Sequence, residues 1–134
     1  MKNIKPRITG IGGIFFKAKH RKKLAAWYKK HLGLPLNDQW SGWSFEWREA
    51  KAPKKMGRTA WSLFDADTEY FGKNKQSHML NYRVANLQKV LADLKREKVW
   101  IDPKGIEASE YGKFAWIKDG EGNRIELWEP PKGS

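Results

Sequence analysis

Cysteine is missing altogether from the 134 residues, which excludes a disulfide framework and a thiolate site. No apolar run approaches the roughly 18 residues that suggest a membrane span. The N-terminal MKNIKPRITG has no apolar segment of the secretory kind. A cytoplasmic protein that makes no use of a membrane is the expectation. Acidic residues are also in short supply, 15 against 27 Lys and Arg, so the net charge is +12. Such an excess raises the question of nucleic acid, because clustered Lys and Arg release counterions from phosphates. The basic residues are instead spread along the chain, from Lys22 and Lys23 through Lys54 and Lys55 to Lys95 and Lys98. No zinc pattern or RNP-like motif accompanies them. They read as solvated faces, and a basic nucleic-acid binder is the least favoured reading. The charge does attract an anionic ligand and repel a strongly cationic one.

What the chain has in quantity is aromatic residues, eight Trp, six Phe and four Tyr, within a hydrophobic content of 40%. That is the composition of a folded interior in a chain long enough to bury one. Ile8–Ala18 reads as a strand containing a Gly12-Gly13 pair, which marks a bulge or a close approach. Arg21–Leu32 reads as a helix, with Leu24, Ala25, Tyr28 and Leu32 on one face and Gly33 to end it. Pro35–Trp40 is a weak strand. Gly42–Glu49 alternates, with Trp43, Phe45 and Trp47 on one side and Ser44, Glu46 and Arg48 on the other; the aromatic side reads as core. A basic loop, Ala50–Gly57, leads to a strand at Thr59–Phe64. A connector at 65–76 has a turn of helix around Thr68–Phe71.

The pattern then restarts. His78–Ala85 is a strand, and Leu87–Lys98 is a helix capped by Asn86 with Leu87, Val90, Leu91 and Leu94 at helical spacing. Trp100–Ala108 is a weak strand, and Phe114–Lys118 and Arg124–Trp128 are strong ones around the turn Asp119–Asn123. Module one covers about 6–66 and module two about 77–130, each a βαβββ unit within a single domain at 1–134. Gly13–Ala18 overlies Met79–Val84 at a shift of 66, and Gly42–Glu49 overlies Gly112–Asp119 at a shift of 70. Neither half can cover its own sheet, so the two pack into one structure. In the last strand, Glu126 stands between Ile125 and Leu127. A carboxylate in an apolar strand is either paired in a core or lines a cavity, and it is the best functional handle in the chain.

Three segments together, GIGGIFFKAK with LAAWYKKHLGLPL, NYRVANLQKVLADLKRE, and above all DGEGNRIELWEP, resemble the vicinal oxygen chelate superfamily, the glyoxalase, bleomycin-resistance and dioxygenase group. The last segment is similar to the family's Asp-Pro-x-Gly-Asn-x-Ile-Glu-Leu ending. The resemblance implies an α+β fold in which two βαβββ modules form an open, cupped mixed barrel around a cavity, with the helices outside. It implies a homodimer, and in many members one divalent metal held by a residue from each of four strands. Here those positions are Gly13, Met79, Ser62 and Glu126. Only Glu126 is a suitable ligand, since glycine offers no donor, a thioether is too soft, and a serine hydroxyl is weak for a hard cation. No cofactor is therefore expected. A metal on Glu126 with His78, turned inward by a bulge, is the alternative. His20 and His31 read as structural or solvated.

Strand alternation puts Ile14, Phe16, Leu63, Leu80, Tyr82, Val84, Ile125 and Leu127 toward the helices. The cavity lining is then Gly13, Phe15, Lys17, Ser62, Phe64, Met79, Asn81, Arg83, Glu126 and Trp128, with Glu46, Arg48, Phe114 and Trp116 from the third strands. Aromatic walls with a few polar groups suit a small organic ligand, here anionic or amphipathic. The expected function is metal-independent binding, with Glu126 as the polar anchor and the best catalytic candidate. One alternative is a glyoxalase-type lyase or isomerase using Glu126, with or without a metal. Another is an interior in which Glu126 and Glu46 simply pair with Arg83, Arg48 or Arg124. Sequestration of bleomycin, a cationic drug, is disfavoured by the charge.

Overall fold

A computed structural model describes residues 6–73 and 75–132. Among them are seven strands and two helices: β1 (Ile8–Ala18), α1 (Arg21–Leu32), β2 (Gly42–Glu49), β3 (Ala52–Asp65), β4 (His78–Val84), α2 (Leu87–Arg96), β5 (Glu107–Ser109), β6 (Gly112–Lys118) and β7 (Arg124–Glu129). The strands form one open mixed sheet in the order β2-β3-β1-β4-β7-β6-β5. β1 runs parallel to β3 and β4 parallel to β7, and the antiparallel β1–β4 pair joins the halves within one chain. The expected cupped α+β architecture holds, with the first half one strand short.

The missing strand is Pro35–Trp40. Asn37 folds that segment into a turn instead, its side-chain oxygen accepting from the backbone N–H groups of Gln39 (2.8 Å) and Trp40 (3.2 Å). The stretch 50–57, expected as a loop, largely belongs to β3, which pairs with β2 as an extended hairpin. Its polarity reflects a solvated edge. The connector has two turns, closed by Thr68 N–H to Asp65 and Gly72 N–H to Glu69, each 3.0 Å, where a turn of helix was expected. α2 stops two residues early, because Lys98 takes the left-handed conformation at φ 62°.

Burial explains how the halves are held. α1 lays Leu24, Ala25 and Tyr28 on Phe16, Trp61 and Leu63, and Gly33 at φ 66° ends it by donating back to Lys29. α2 lays Leu87, Val90, Leu91 and Leu94 on Tyr82, Val84, Ile125 and Leu127, and Asn86 caps it through the Lys89 N–H (3.1 Å). A third cluster on the opposite side joins Phe15, Met79 and Trp116 to Phe71 of the connector.

Two expectations about the helix side do not hold. Ile14 and Leu80 are paired neighbours and each is 37% exposed. Ile14 also pairs with Trp61, and Trp61 with Trp43, so an apolar row crosses four strands between the helices. Trp43 and Phe45, expected in the core, are 40% and 44% exposed, because β2 is the edge strand and α1 packs on β1 and β3.

Candidate functional site

The cupped side of the sheet carries a cleft of about 670 Å³, within the range of small-molecule sites. Strand register stacks its residues in levels. At the inner level Glu126 of β7 pairs with Asn81 of β4, Asn81 with Gly13 of β1, and Gly13 with Ala60 of β3. Two residues outward, Trp128 pairs with Arg83, while Arg58 of β3 pairs with Glu46 of β2. A bulge between Ile11 and Gly13 brings Gly12, not Gly13, to the cleft. A Cβ on Gly12 would lie 2.1 Å from Asn81 Oδ1 and 2.9 Å from the Trp128 ring, so only glycine fits there.

Glu126 is 2% exposed and is held by three uncharged donors. Asn81 Nδ2 donates to Oε1 at 2.6 Å, and Trp116 Nε1 donates to Oε2 at 3.0 Å. The Tyr70 hydroxyl also donates to Oε2. Burial pushes the carboxyl pKa up, and the three hydrogen bonds and the more distant Arg124 oppose that rise. The same burial, with the charge of Glu126, pushes the Tyr70 hydroxyl far above its usual range. Tyr70 comes from the connector and lies flat on Phe64 (centroids 5.4 Å apart, planes at 9°), edge-on to Trp116. No ion pair joins Glu126 to an arginine among the described residues. Arg124 pairs instead with Asp102 at 2.9 Å.

No protein-family model matches the chain, and no curated protein matches it in sequence. Solved structures do. The methylmalonyl-CoA epimerase of Mycobacterium tuberculosis superposes with a TM-score of 0.60 at 18% identity, over 97% of this chain and 93% of that one. A methylmalonyl-CoA epimerase in complex with methylmalonyl-CoA and NH4+ gives 0.68 at 14%, over 95% and 98%. A variant of the Streptomyces coelicolor enzyme, in complex with 2-nitronate-propionyl-CoA, gives 0.66 at 14%, over 92% and 98%. The fold is shared. At these identities the likeness establishes a shared cupped fold and leaves the chemistry to the residues.

A divalent metal, which the resemblance in sequence implies, does not fit the donor set. Among the described residues no three His, Asp or Glu side chains converge. Met79 packs with Phe15, Phe71 and Trp116, and Ser62 Oγ faces the carbonyls of Trp40 and Leu63 at 3.4 Å. His78 stacks on Phe16 (5.4 Å, 16°), a residue packed against α1, and bonds Ser77 Oγ at 2.7 Å. It therefore points away from Glu126, and the bulge that was to turn it inward is absent.

Of the expected lining, Phe15, Ser62, Phe64, Asn81, Arg83, Phe114, Glu126 and Trp128 face the cleft. Five other expected residues need correction. Lys17 lies over the Phe71 ring at 5.4 Å, outside the cleft. Met79 and Trp116 are packed beneath its floor, although the Trp116 indole reaches Glu126. Glu46 stands beyond the rim, 3.9 Å from Arg58, and Arg48 donates to the Pro53 carbonyl of its own hairpin. Arg83 takes the outer level, its guanidinium between Trp47 (5.4 Å) and Trp128 (5.1 Å). Sequence reasoning missed Tyr70, Gly12, Trp40, Ser44, Arg58, Glu110 and Tyr111. Arg58 and Ala60 share the parity of Ser62 and become legible once β3 is extended backward; Tyr70 lies in a segment with no periodicity to read.

Proposed function

We propose that this protein binds a small organic anion in the cleft without a divalent metal. The observation that carries the reading is Glu126, held at the floor of an aromatic cleft by Asn81, Trp116 and Tyr70, with its oxygens committed to neutral donors. The net charge of +12, with Arg58 and Arg83 at the outer level, favours an anionic or amphipathic ligand. The CoA thioesters bound by two structural neighbours make acyl-CoA compounds reasonable members of a first screen. The test is equilibrium binding of carboxylates, phosphates and methylmalonyl-CoA to the metal-stripped protein. Saturable 1:1 binding of at least one class, weakened in Trp128→Ala, is expected; no binding to any class, or binding only after metal is restored, overturns it.

A glyoxalase-type enzyme is the second reading. It is favoured by the raised pKa of Glu126, which suits a general base. Turnover of the methylglyoxal–glutathione adduct, lost in Glu126→Gln, would establish it in place of simple binding. We also infer a homodimer, through the uncovered row of Ile14, Leu80 and Trp43. Exposed apolar patches of several hundred Å² are typical of interaction sites, and none of these side chains carries charge in an otherwise strongly basic protein.

A further inference from the structure

The cleft has a polarity that narrows its ligand. Its inner end offers acceptors. Glu126 has about four lone-pair positions and uses three. Asn81, itself 2% exposed, donates through Nδ2 to Glu126, and its Oδ1 has no hydrogen-bond partner among the described residues. A buried carbonyl left without a donor costs about 1–3 kcal/mol, so a donor brought by a ligand is rewarded there. The outer end offers cations. Arg58 lines the cleft and lies 3.9 Å from Glu46, both side chains more than half exposed. Arg83 shares that level. Glu110 lines the cleft from the β5–β6 turn, at the other end of the strand order, where a carboxylate disfavours an anionic group.

The two levels are two residues apart along the strands, about 7 Å. One para-disubstituted benzene ring spans that distance. The cleft walls are rings: Phe15 and Phe64 lie beyond the inner level, and Phe114 and Trp128 stand at the outer one, stacked at 6.0 Å and 5°. Flat aromatic walls favour a planar ligand over a branched or globular one.

We propose that the cleft selects a compact aromatic acid carrying a hydroxyl or N–H donor opposite its acid group, with the donor on Glu126 and Asn81 Oδ1 and the acid toward Arg58 and Arg83. This rests on the small-molecule reading above and commits it to one class. A site built to accept a hydrogen bond rejects the analogue that lacks the donor, because its buried acceptors are then left unpaired.

Isothermal titration with four probes tests it: 4-hydroxybenzoate, benzoate, 4-methoxybenzoate and 4-hydroxybenzamide. 4-Hydroxybenzoate is expected to bind at least about tenfold tighter than benzoate or 4-methoxybenzoate. In Glu126→Gln that ratio should collapse to about twofold or less. In Arg58→Ala, affinity for 4-hydroxybenzoate should fall about fivefold or more, with 4-hydroxybenzamide unchanged. Equal binding of benzoate and 4-hydroxybenzoate to the unaltered protein overturns the proposal and leaves the small-molecule reading standing. No binding by any of the four at millimolar concentration also overturns it, whereas the wider screen of acids and thioesters decides the broader reading. The comparison among probes on the unaltered protein needs no variant to fold.

Discussion

Removing one oxygen from Tyr70 probes the centre of the site. In Tyr70→Phe the ring keeps its stack on Phe64 and its edge contact with Trp116, and only the donor to Glu126 is lost. A hydrogen bond to a charged acceptor contributes about 1.5–3 kcal/mol net, against about 0.5–1.5 kcal/mol for a neutral pair. Tyr70 is 37% exposed, so water can partly replace the lost donor, and the expected cost at neutral pH is at the low end, about 1.5 kcal/mol. That corresponds to a fall in melting temperature of about 5 °C for a chain of this size. The cost should depend on pH. The Tyr70 bond holds the Glu126 pKa down against burial, so its loss raises that pKa further and disfavours the charged form. Once Glu126 is protonated, the missing bond is one to a neutral group, and the cost should shrink to about 1 kcal/mol or less. Urea titrations of both proteins at about pH 7 and about pH 4 measure this. A cost below about 0.5 kcal/mol at neutral pH, or one that is the same at both pH values, would refute the claim that Tyr70 supports a buried carboxylate.

Glu126→Gln addresses the same group by linkage. Burial raises the folded-state pKa above the ordinary 4.5, so the folded protein keeps a proton that the unfolded chain has already lost. Stability from this group is fully present below the unfolded value and is lost as pH rises through the raised folded value. The unaltered protein should therefore gain on the glutamine variant as pH falls from neutral toward 4.5 in paired urea titrations, and a difference that grows toward high pH would contradict the sign. Gly12→Ala would force its methyl onto Asn81 Oδ1, at a cost of about 1–3 kcal/mol by overpacking; binding in the cleft should weaken with it, and an unchanged melting temperature would show that the close approach is not real. Ile14→Glu places a charge in the uncovered row and should convert a dimer to a monomer in sedimentation velocity without loss of melting temperature beyond that of dissociation; a monomeric unaltered protein removes the dimer inference.

Much of the architecture was legible because periodicity reports burial. The helix faces Leu24-Ala25-Tyr28 and Leu87-Val90-Leu91-Leu94 pack as the spacing predicts, and alternation in β4 and β7 put Asn81, Arg83, Glu126 and Trp128 on the cleft side. The failures have physical causes of their own. Alternation cannot tell an edge strand from a central one, so Trp43 and Phe45 read as core although they stand exposed on the edge strand β2. A bulge shifts parity, which exchanged Gly13 for Gly12. Asn37 uses its side chain to make a turn where the composition allowed a strand. Tyr70 belongs to a connector whose conformation is set by Phe71, fully buried in the cluster with Phe15, Met79 and Trp116, and no local pattern announces that long-range contact.

The partners of Glu126 matter more than its presence. An arginine partner would have made it a structural ion pair, and converging imidazoles would have made it a metal ligand. Neutral donors leave it a buried acceptor at the floor of an aromatic cleft. Native mass spectrometry of freshly purified, untagged protein, with and without a library of aromatic acids, tests that account most directly. The expected result is a chain mass free of stoichiometric metal and a 1:1 adduct with an aromatic acid that is weakened in Glu126→Gln. A stoichiometric zinc, nickel, manganese or iron adduct that disappears in Glu126→Ala would contradict it.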